Sequence, residues 1–383
     1  MRKYIFGGIL IFILLLPLWM WLGWAFTPNT KLVAAIIDKT VLTREGQQHI
    51  SFNWILNHQR YTKTSKKAYE NAHDYYGFFP LNDEKFELKG LERFSSNELI
   101  QLSGDADLVY FTDTYGIYNN QWYKGEKGRY GILYGGLSGK DVEFLSLMKA
   151  KNKLIIAEFN TIGSPTRFEN RARFEELFAI KWTGWTARYF DNLDIEVNKD
   201  IPLWLIDNYK KAHQGQWPFK KSGIAFVNDK DQVVILEDKT HLTNSMPHIL
   251  SNLYAMENLG LPESTKYPFW FDIIVPQPAI NKTFARFKIS ANSNGLAELK
   301  KYGIPSEFPA VTMHKGKDYN FYYFSGDFSN NPIDLNTSYF KGIALFKAMF
   351  YNKNNPMERA SFFWNFYRPM LSNILKDYSA NKP

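Results

Sequence analysis

The chain has 383 residues, and its shares of 45% hydrophobic and 22% charged residues are typical of a folded globular protein rather than a disordered one. It contains no cysteine, which excludes disulfides, cysteine-ligated metal sites and a cysteine nucleophile. The net charge of +8 is mild and no run of five basic residues occurs, so we predict no nucleic-acid partner.

The first 30 residues predict a membrane anchor. Tyr4–Thr30 contains no charged residue, and its apolar part, Ile5–Phe26, is long enough to cross a bilayer at about 1.5 Å per helical residue. Arg2 and Lys3 precede it, so the positive-inside rule places the N-terminus in the cytoplasm and the main domain outside. The alternative is a cleaved signal peptide, whose apolar region is shorter, about 7–15 residues. We therefore expect a single-pass protein of the cell membrane, with residues 5–26 in contact with lipid.

Strand-like and helix-like patterns alternate in the first half of the remaining chain. Three continuous apolar runs predict buried strands at Leu32–Ile37, Leu108–Thr112 and Leu154–Ala157. Helical spacing is found over His49–Arg60 and Lys140–Lys149. Buried strands that alternate with helices predict an α/β fold with a mostly parallel sheet flanked by helices.

The pattern becomes mixed after residue 217. Two apolar runs on either side of a polar turn predict a hairpin, and further strands and two helices follow. The predicted strands are Gly223–Val227, Val233–Glu237, Phe269–Val275, Thr283–Ile289 and Asn320–Phe324. The predicted helices are Tyr339–Tyr351 and the aromatic, amphipathic Ala360–Tyr378.

The order of these elements resembles the class I glutamine amidotransferase-like superfamily, nearest its trehalose-utilisation (ThuA-like) branch. The resemblance covers about residues 32–350 and includes a helix that opens at Leu137–Asp141 and an aromatic strand that runs into Gly326. It implies an amidotransferase-like, flavodoxin-like sheet. In the ThuA-like branch a Gly-His pair follows the late strand, whereas Asp327 stands where the histidine would be. The amidotransferase nucleophile is a cysteine, so glutaminase chemistry is excluded here.

These patterns divide the chain into three parts. Residues 1–30 are the predicted anchor, residues 31–352 an amidotransferase-like α/β domain with insertions, and residues 353–383 a C-terminal aromatic helix. We expect that helix to pack on the domain, and contact with a membrane or a partner protein is the alternative.

Acidic residues end three of the predicted strands. Asp38, Asp113 and Glu158 each follow an apolar run, and Asp327 follows the late aromatic strand. Ligands of open α/β sheets bind outside the carboxyl ends of the strands, so these carboxyls are candidates for one site. They can act as general acid and base or bind sugar hydroxyls or a cation. Acids at strand ends also commonly cap helices or form turns.

Glu158 and Asp113 are the predicted catalytic residues. Glu158 directly follows a buried run, and burial raises a carboxyl pKa as a general acid requires. The structural alternative is an ion pair with one of the arginines that follow, namely Arg167, Arg171 and Arg173.

Six residues are predicted to bind a ligand. Trp185 is expected to offer a stacking platform for a sugar ring, with Arg188 beside it, although packing in the core is the alternative for such rings. No metal-binding or phosphate-binding motif occurs, and we predict no metal and no cofactor. The predicted ligand-binding residues are Asp38, Tyr115, Asn160, Trp185, Arg188 and Asp327.

Two functions are compatible with these features. The first is a membrane-anchored, extracytoplasmic protein that binds or hydrolyses an envelope or extracellular glycan. The second is a non-catalytic scaffold or assembly component of a cell-envelope complex, in contact with a partner protein. Fold similarity does not separate them, because function depends on the site.

Overall fold

Eighteen β-strands form the framework of the protein, seen in a computed structural model that describes residues 13–125 and 131–382. Ten of them build one large sheet, four build a second sheet, and the rest form two two-stranded pairs. In chain order the strands are β1 (Thr30–Lys31), β2 (Ala34–Asp38), β3 (Tyr61–Thr62), β4 (Tyr76–Pro80), β5 (Phe86–Leu88), β6 (Leu108–Asp113), β7 (Ile117–Tyr118), β8 (Ile132–Tyr134), β9 (Leu154–Glu158), β10 (Ile180–Phe190), β11 (Gly223–Asn228), β12 (Val233–Glu237), β13 (His248–Ser251), β14 (Ser264–Lys266), β15 (Trp270–Pro276), β16 (Lys282–Lys288), β17 (Glu307–Lys315) and β18 (Asn320–Phe324).

The helices lie between these strands and at both ends of the described chain. Three 3₁₀ helices cover Leu91–Arg93, Leu335–Tyr339 and Ile343–Met349. The α-helices are α1 (Leu16–Ala25), α2 (Ile50–His58), α3 (Ser96–Asp105), α4 (Asn119–Trp122), α5 (Gly139–Ala150), α6 (Phe168–Phe178), α7 (Leu203–Ala212), α8 (Leu253–Leu259), α9 (Ser293–Lys301) and α10, which joins Ala360–Phe362, a π-helical turn at Phe363–Tyr367 and Arg368–Asn381.

The large sheet has the strand order β14-β13-β16-β17-β18-β9-β6-β2-β4-β5 and is mixed. Its centre, from β18 to β4, is parallel, and the three strands predicted to be adjacent and parallel (β2, β6 and β9) pair in that way. The prediction of a mostly parallel sheet is wrong, because five of the nine pairings are antiparallel. Only residues 316–319 connect β17 to β18, which is too short for the crossover that a parallel pair requires.

Helices cover both faces of the parallel centre. On β6, Val109 and Phe111 point to the face covered by α3, α5 and α6, where Phe174 packs against the same core. Tyr110 points to the opposite face, which α2 and α10 cover with residues such as Trp54. Successive side chains of a strand alternate between faces, so strands covered on both sides are apolar throughout, as the continuous runs of the sequence indicate.

The second sheet has the order β12-β11-β10-β15 and is antiparallel throughout. It packs against the antiparallel half of the large sheet, where the ring of Phe271 lies 4.7 Å from Phe287 and 5.6 Å from Phe308. Helix α7 covers its other face, with Leu205 and Ile235 in a small separate core. The predicted hairpin is confirmed as β11 and β12.

Of the two helices predicted after residue 338, the structure contains one. In place of the helix expected over residues 339–351 there is a single 3₁₀ segment, Ile343–Met349, and Gly342 directly before it has a left-handed φ of 82° that a regular helix does not accommodate. Helix α10 is confirmed, and it packs into the main core.

The predicted membrane span coincides only in part with the described residues. Residues 1–12, including Arg2 and Lys3, lie outside them, and α1 covers the span only from Leu16 to Ala25. Among residues 13–125 and 131–382, no helix combines the length and the apolar character needed to cross a bilayer.

Burial of α10 generates a stability prediction. Leu371 is completely buried, and truncation to alanine removes buried area and leaves a cavity, so we expect Leu371→Ala to lower the free energy of unfolding by about 2–5 kcal/mol. Leu253→Ala is the matched control, since Leu253 is 69% exposed and its loss should change stability by about 0.5 kcal/mol or less. Urea unfolding of both variants measures the difference, and equal midpoints would contradict the packing of α10.

Candidate functional site

The carboxyl ends of the four parallel strands β2, β6, β9 and β18 meet at one edge of the large sheet, which we call the carboxyl rim. Asp38, Asp113 and Glu158 are the last residues of the first three strands, and the register pairs Asp38 with Asp113 directly. Phe324, which ends β18, pairs with Glu158, and Asp327 follows three residues later. All four acids are buried, with exposed fractions of 0 to 6%.

Asp38 is held by donors from the loop that follows β2. Its carboxylate accepts hydrogen bonds from the backbone N–H groups of Gln48 (2.7 Å) and Thr40 (3.2 Å). The Nδ1 atom of His49 lies 2.8 Å from the same carboxylate, and its Nε2 atom lies 3.1 Å from the carbonyl oxygen of Asn71. Both ring nitrogens thus lie within hydrogen-bond distance of oxygen atoms of neighbouring residues.

Asp113 is the acid best placed to hold a proton. The backbone N–H of Tyr115 donates to its Oδ1 atom at 2.6 Å. Burial, followed by the nearby carboxyls of Asp327 and Asp38, raises the pKa of Asp113 well above its usual range. A carboxyl in such a place stays protonated at higher pH than usual and can donate a proton to a bound group.

Asp327 joins the rim to a cluster of cations and aromatic rings. Arg359 donates to the Asp327 carbonyl oxygen at 2.6 Å and to its Oδ2 atom at 3.4 Å, and it opposes the rise that burial causes in the pKa of Asp327. The Arg359 guanidinium lies 3.5 Å from the ring centre of Phe269, and that of Arg188 lies 4.9 Å from the same ring. Arg188 also lies 5.7 Å from the ring centre of Trp270. We call Arg188, Phe269, Trp270 and Arg359 the cation–aromatic cluster.

Three buried polar atoms of this region have no hydrogen-bond partner within the described residues. They are the Oδ1 atom of Asp327, an acceptor, the Nε atom of Arg188, a donor, and the hydroxyl of Ser325, which can do either. Nearly all buried polar atoms in folded proteins are paired, so an unpaired acceptor and an unpaired donor in one region indicate a place where an additional polar group is accommodated.

Glu158 faces the core rather than the solvent. Its Oε2 atom accepts a hydrogen bond from Tyr110 at 2.8 Å, and its Oε1 atom contacts the hydroxyl and the backbone N–H of Ser329. Tyr110 also bonds to the hydroxyl of Tyr367 on α10 at 2.9 Å. Burial, and then the charge of Asp327, raises the pKa of Glu158 well above its usual range, the direction that the sequence predicts.

The structural alternative for Glu158, an ion pair with a following arginine, is not found among the described residues. Arg171 instead lies over the ring of Trp182 and 3.9 Å from Asp229. The hydroxyl of Ser329 contacts both Glu158 and, at 2.9 Å, the carbonyl oxygen of Gln48. Glu158 therefore ties the loop after β18 to the sheet.

The other predicted ligand-binding residues differ in position. Tyr115 is half-buried beside Asp113, with its ring 5.0 Å from that of Tyr118. Asn160 has a left-handed φ of 65°, and its backbone N–H donates to Asp272 at 3.0 Å. Both therefore lie at or next to the carboxyl rim.

Trp185 lies apart from the other residues of the predicted site. It lies on β10 in the main hydrophobic core, is 6% exposed and meets the ring of Tyr302 edge-on at 6.1 Å. Arg188, three residues on, faces the cluster, since alternate residues of a strand point to opposite sides. Trp270, which pairs with Arg188 across β10 and β15, is the half-buried indole of the site.

Sequence reasoning missed two buried charged residues, Asp272 and Lys39, each of which contacts several neighbours and holds the rim in place. Asp272, fully buried on β15, accepts hydrogen bonds from Thr186 and Tyr323 at 3.0 Å, and burial raises its pKa to about 6. Lys39, fully buried, contacts Glu92 and lies 2.6 Å from Asp141. A single acid inside the apolar run of β15 and a lysine directly after β2 were the available signals.

Arg359 and His49 were also missed, since neither stands in a recognisable motif.

The structure offers no metal centre in its described part: residues 13–125 and 131–382 contain no group of three or more His, Asp or Glu side chains placed to hold an ion. The fold and the rim together define an α/β protein with a mixed sheet and a carboxyl-rich edge.

Comparisons with known proteins place this architecture in context. No protein-family model and no curated protein sequence matches the chain. Among solved structures, a ThuA-like protein from Bacteroides uniformis is similar at 10% identity and a TM-score of 0.34, over 82% of this chain and 89% of that one. A ThuA-like protein from Parabacteroides merdae is similar at 10% identity and a TM-score of 0.32, over 78% and 79%.

A third similar structure is the β-galactosidase from Bacillus circulans sp. alkalophilus, at 11% identity and a TM-score of 0.27. The match covers 59% of this chain, which spans only 22% of the enzyme. Two of these similar structures therefore carry the ThuA-like description, but their TM-scores do not establish a family.

The raised pKa of Glu158 generates a prediction on stability. A carboxyl whose pKa is raised by folding contributes stability at a pH below its pKa in the unfolded chain. This contribution is lost as the pH rises through the pKa of the folded state. Its size is about 1.4 kcal/mol for each unit by which folding raises the pKa. Glu158→Gln, which cannot ionise, should therefore gain stability relative to the parent protein as pH rises from 5 to 9. Thermal melting at each pH measures the change.

The exposed Glu176→Gln is the control for this prediction, and its melting curve should run parallel to that of the parent protein. A loss of about 3–5 kcal/mol in Glu158→Gln at every pH would instead mean that Glu158 is an ionised partner of a buried charge.

Proposed function

We propose that the protein binds a hydroxyl-rich glycan at the carboxyl rim and hydrolyses it. The observation that carries this proposal is the unpaired acceptor of Asp327 and the unpaired donor of Arg188, which lie in one region with the raised-pKa carboxyl of Asp113. A sugar hydroxyl both donates and accepts, so it satisfies atoms of both kinds.

The composition of the surroundings favours a carbohydrate over a highly charged ligand. Arg359 pairs with Asp327, and Arg188 lies within reach of the charges of Asp200, Asp191 and Asp327, so neither sign dominates the site. The half-buried ring of Trp270 provides an apolar face of the kind that stacks on sugar rings.

The roles of the acids are assigned from their environments. Asp113 is the proposed proton donor to the leaving oxygen, because its pKa is raised and it is, at 6%, the most exposed of the four rim acids. Asp327, whose Oδ1 atom is unpaired, is the proposed partner carboxylate and forms the proposed hydroxyl-binding pair with Arg188. Asp38 is a positioning residue, since both of its oxygens accept internal hydrogen bonds. Glu158 is a positioning residue, since both of its oxygens are occupied by internal donors.

The cellular setting belongs to the same proposal. The uncharged segment before Lys31 would anchor the chain in the cell membrane, and the domain would then face an envelope or extracellular glycan. The amidotransferase-like, ThuA-like assignment of the domain is part of this proposal and rests on its order of elements.

The second candidate is a non-catalytic scaffold of a cell-envelope complex that binds a partner protein. It is favoured by the small exposure of the acids, since Asp113 is 6% and Asp327 5% exposed. In this case the rim acids would serve the fold alone.

Hydrolysis is tested with Asp113→Asn in the full-length, detergent-solubilised protein, on an array of envelope and extracellular glycans. Asparagine keeps the shape but cannot donate the proton, so turnover should fall about 10²–10⁴-fold while retention of the glycan persists. Asp318→Asn is the control, because Asp318 lies in the turn before β18, at the other end of that strand, and should leave both unchanged. Equal activity of the parent and Asp113→Asn would exclude the assigned role, and an array without any retained glycan would favour the scaffold.

The orientation of the domain is tested separately with single cysteines, which the cysteine-free chain permits. A cysteine in place of Val197, which is 68% exposed, should react with a membrane-impermeant maleimide on intact spheroplasts. A cysteine in place of Arg2 should react only after lysis. The reverse pattern would place the domain in the cytoplasm.

A further inference from the structure

We propose that residues 341–350 form a second membrane contact, which docks on the headgroup region of an anionic phospholipid bilayer beside α1. This inference rests on the proposed anchor, but it concerns a different part of the chain and a different depth in the bilayer. Its core is the 3₁₀ helix Ile343–Met349, which the glycan site does not use.

The segment presents large apolar side chains to the outside. Leu345 is 86% exposed, Met349 79% and Phe350 37%, and the 3₁₀ helix buries none of its residues. Single exposed apolar residues are ordinary, but several within six positions form a patch that requires a covering partner.

The structure fixes this patch against the last turns of α1. The backbone N–H of Lys341 donates to the carbonyl oxygen of Met20 at 2.9 Å, and the ring of Tyr339 meets that of Trp24 at 4.9 Å. Helix α1 itself buries no residue, and Leu18 and Trp21 are 44% and 43% exposed. The patch is therefore continuous with the uncovered apolar surface of α1.

The depth of the contact follows from the position of Met20. It precedes Phe26, the end of the predicted span, by six residues, which is about 9 Å along a helix axis. A bilayer that surrounds the span up to Phe26 would reach the level of Lys341. Amphipathic interfacial segments bury their apolar side about 5–10 Å below the surface, and this depth agrees with that range.

Charge selects an anionic lipid as the occupant. Residues 335–357 contain three lysines (Lys341, Lys347 and Lys353) and no acidic residue. Basic residues next to a membrane surface are attracted to anionic headgroups, by an amount that corresponds to about a fivefold shift in the docked population for each lysine. Apolar side chains flanked by lysines are the composition expected of an interfacial contact.

The test uses nitroxide labels on single cysteines in the full-length protein, reconstituted in vesicles of phosphatidylcholine with or without phosphatidylglycerol. A label at Leu345 should lose accessibility to a water-soluble nickel chelate and gain accessibility to oxygen, and more so with phosphatidylglycerol. A label at Leu18 reports the anchor, and a label at Val197 should stay in water in both vesicles. Replacement of all three lysines by glutamine should return the Leu345 label towards water.

The outcomes separate this inference from the anchor on which it rests. A label in lipid at Leu18 combined with a label in water at Leu345 would overturn the second contact and leave the anchor intact. Labels in water at both positions would overturn both. A Leu345 label that enters lipid equally in the two vesicles, and is unaffected by loss of the lysines, would overturn the assignment to anionic headgroups.

Discussion

The fold depends on a constraint of electrostatics: four carboxyl groups are buried together at one edge of a sheet, where they cannot all be ionised without a high cost. The chain meets this constraint in two ways. Arg359, His49 and backbone N–H groups face Asp327 and Asp38, and burial raises the pKa values of Asp113, Glu158 and Asp327. The edge thus combines groups that accept hydrogen bonds with groups that donate them.

The buried residues Asp272 and Lys39 hold this edge of the sheet rigidly in place. Asp272 links the second sheet to the loop after β9 through the backbone of Asn160, and Lys39 links the loop after β2 to the start of α5 through Asp141. Because every partner lies on a different element, small movements of the two sheets would break several buried hydrogen bonds at once. The rim is therefore a fixed arrangement, set by the packing of strands and helices around it.

The parallel centre of the fold could be predicted from the sequence because buried strands are continuous apolar runs, and each of these runs ended in an acid that proved to be at the same edge. The antiparallel half could not be predicted, because its strands pair with partners that are distant along the chain. Local sequence patterns do not record such pairings. Trp185 and Trp270 show the same limit within the site: both indoles stand on strands of one sheet, and only the register of β10 and β15 decides which one faces Arg188. Arg359 stands in no motif, and only the fold brings it to Asp327.

The hydrogen bond between Tyr110 and Tyr367 has a consequence for the order of assembly. Tyr110 belongs to the central strand β6, whereas Tyr367 and Arg359 come from the last 25 residues of the chain. Until those residues are in place, Asp327 lacks its cation and the network around Glu158 lacks its outer member. In a chain that emerges from N-terminus to C-terminus, all strands of the large sheet are therefore available before the residues that complete the rim.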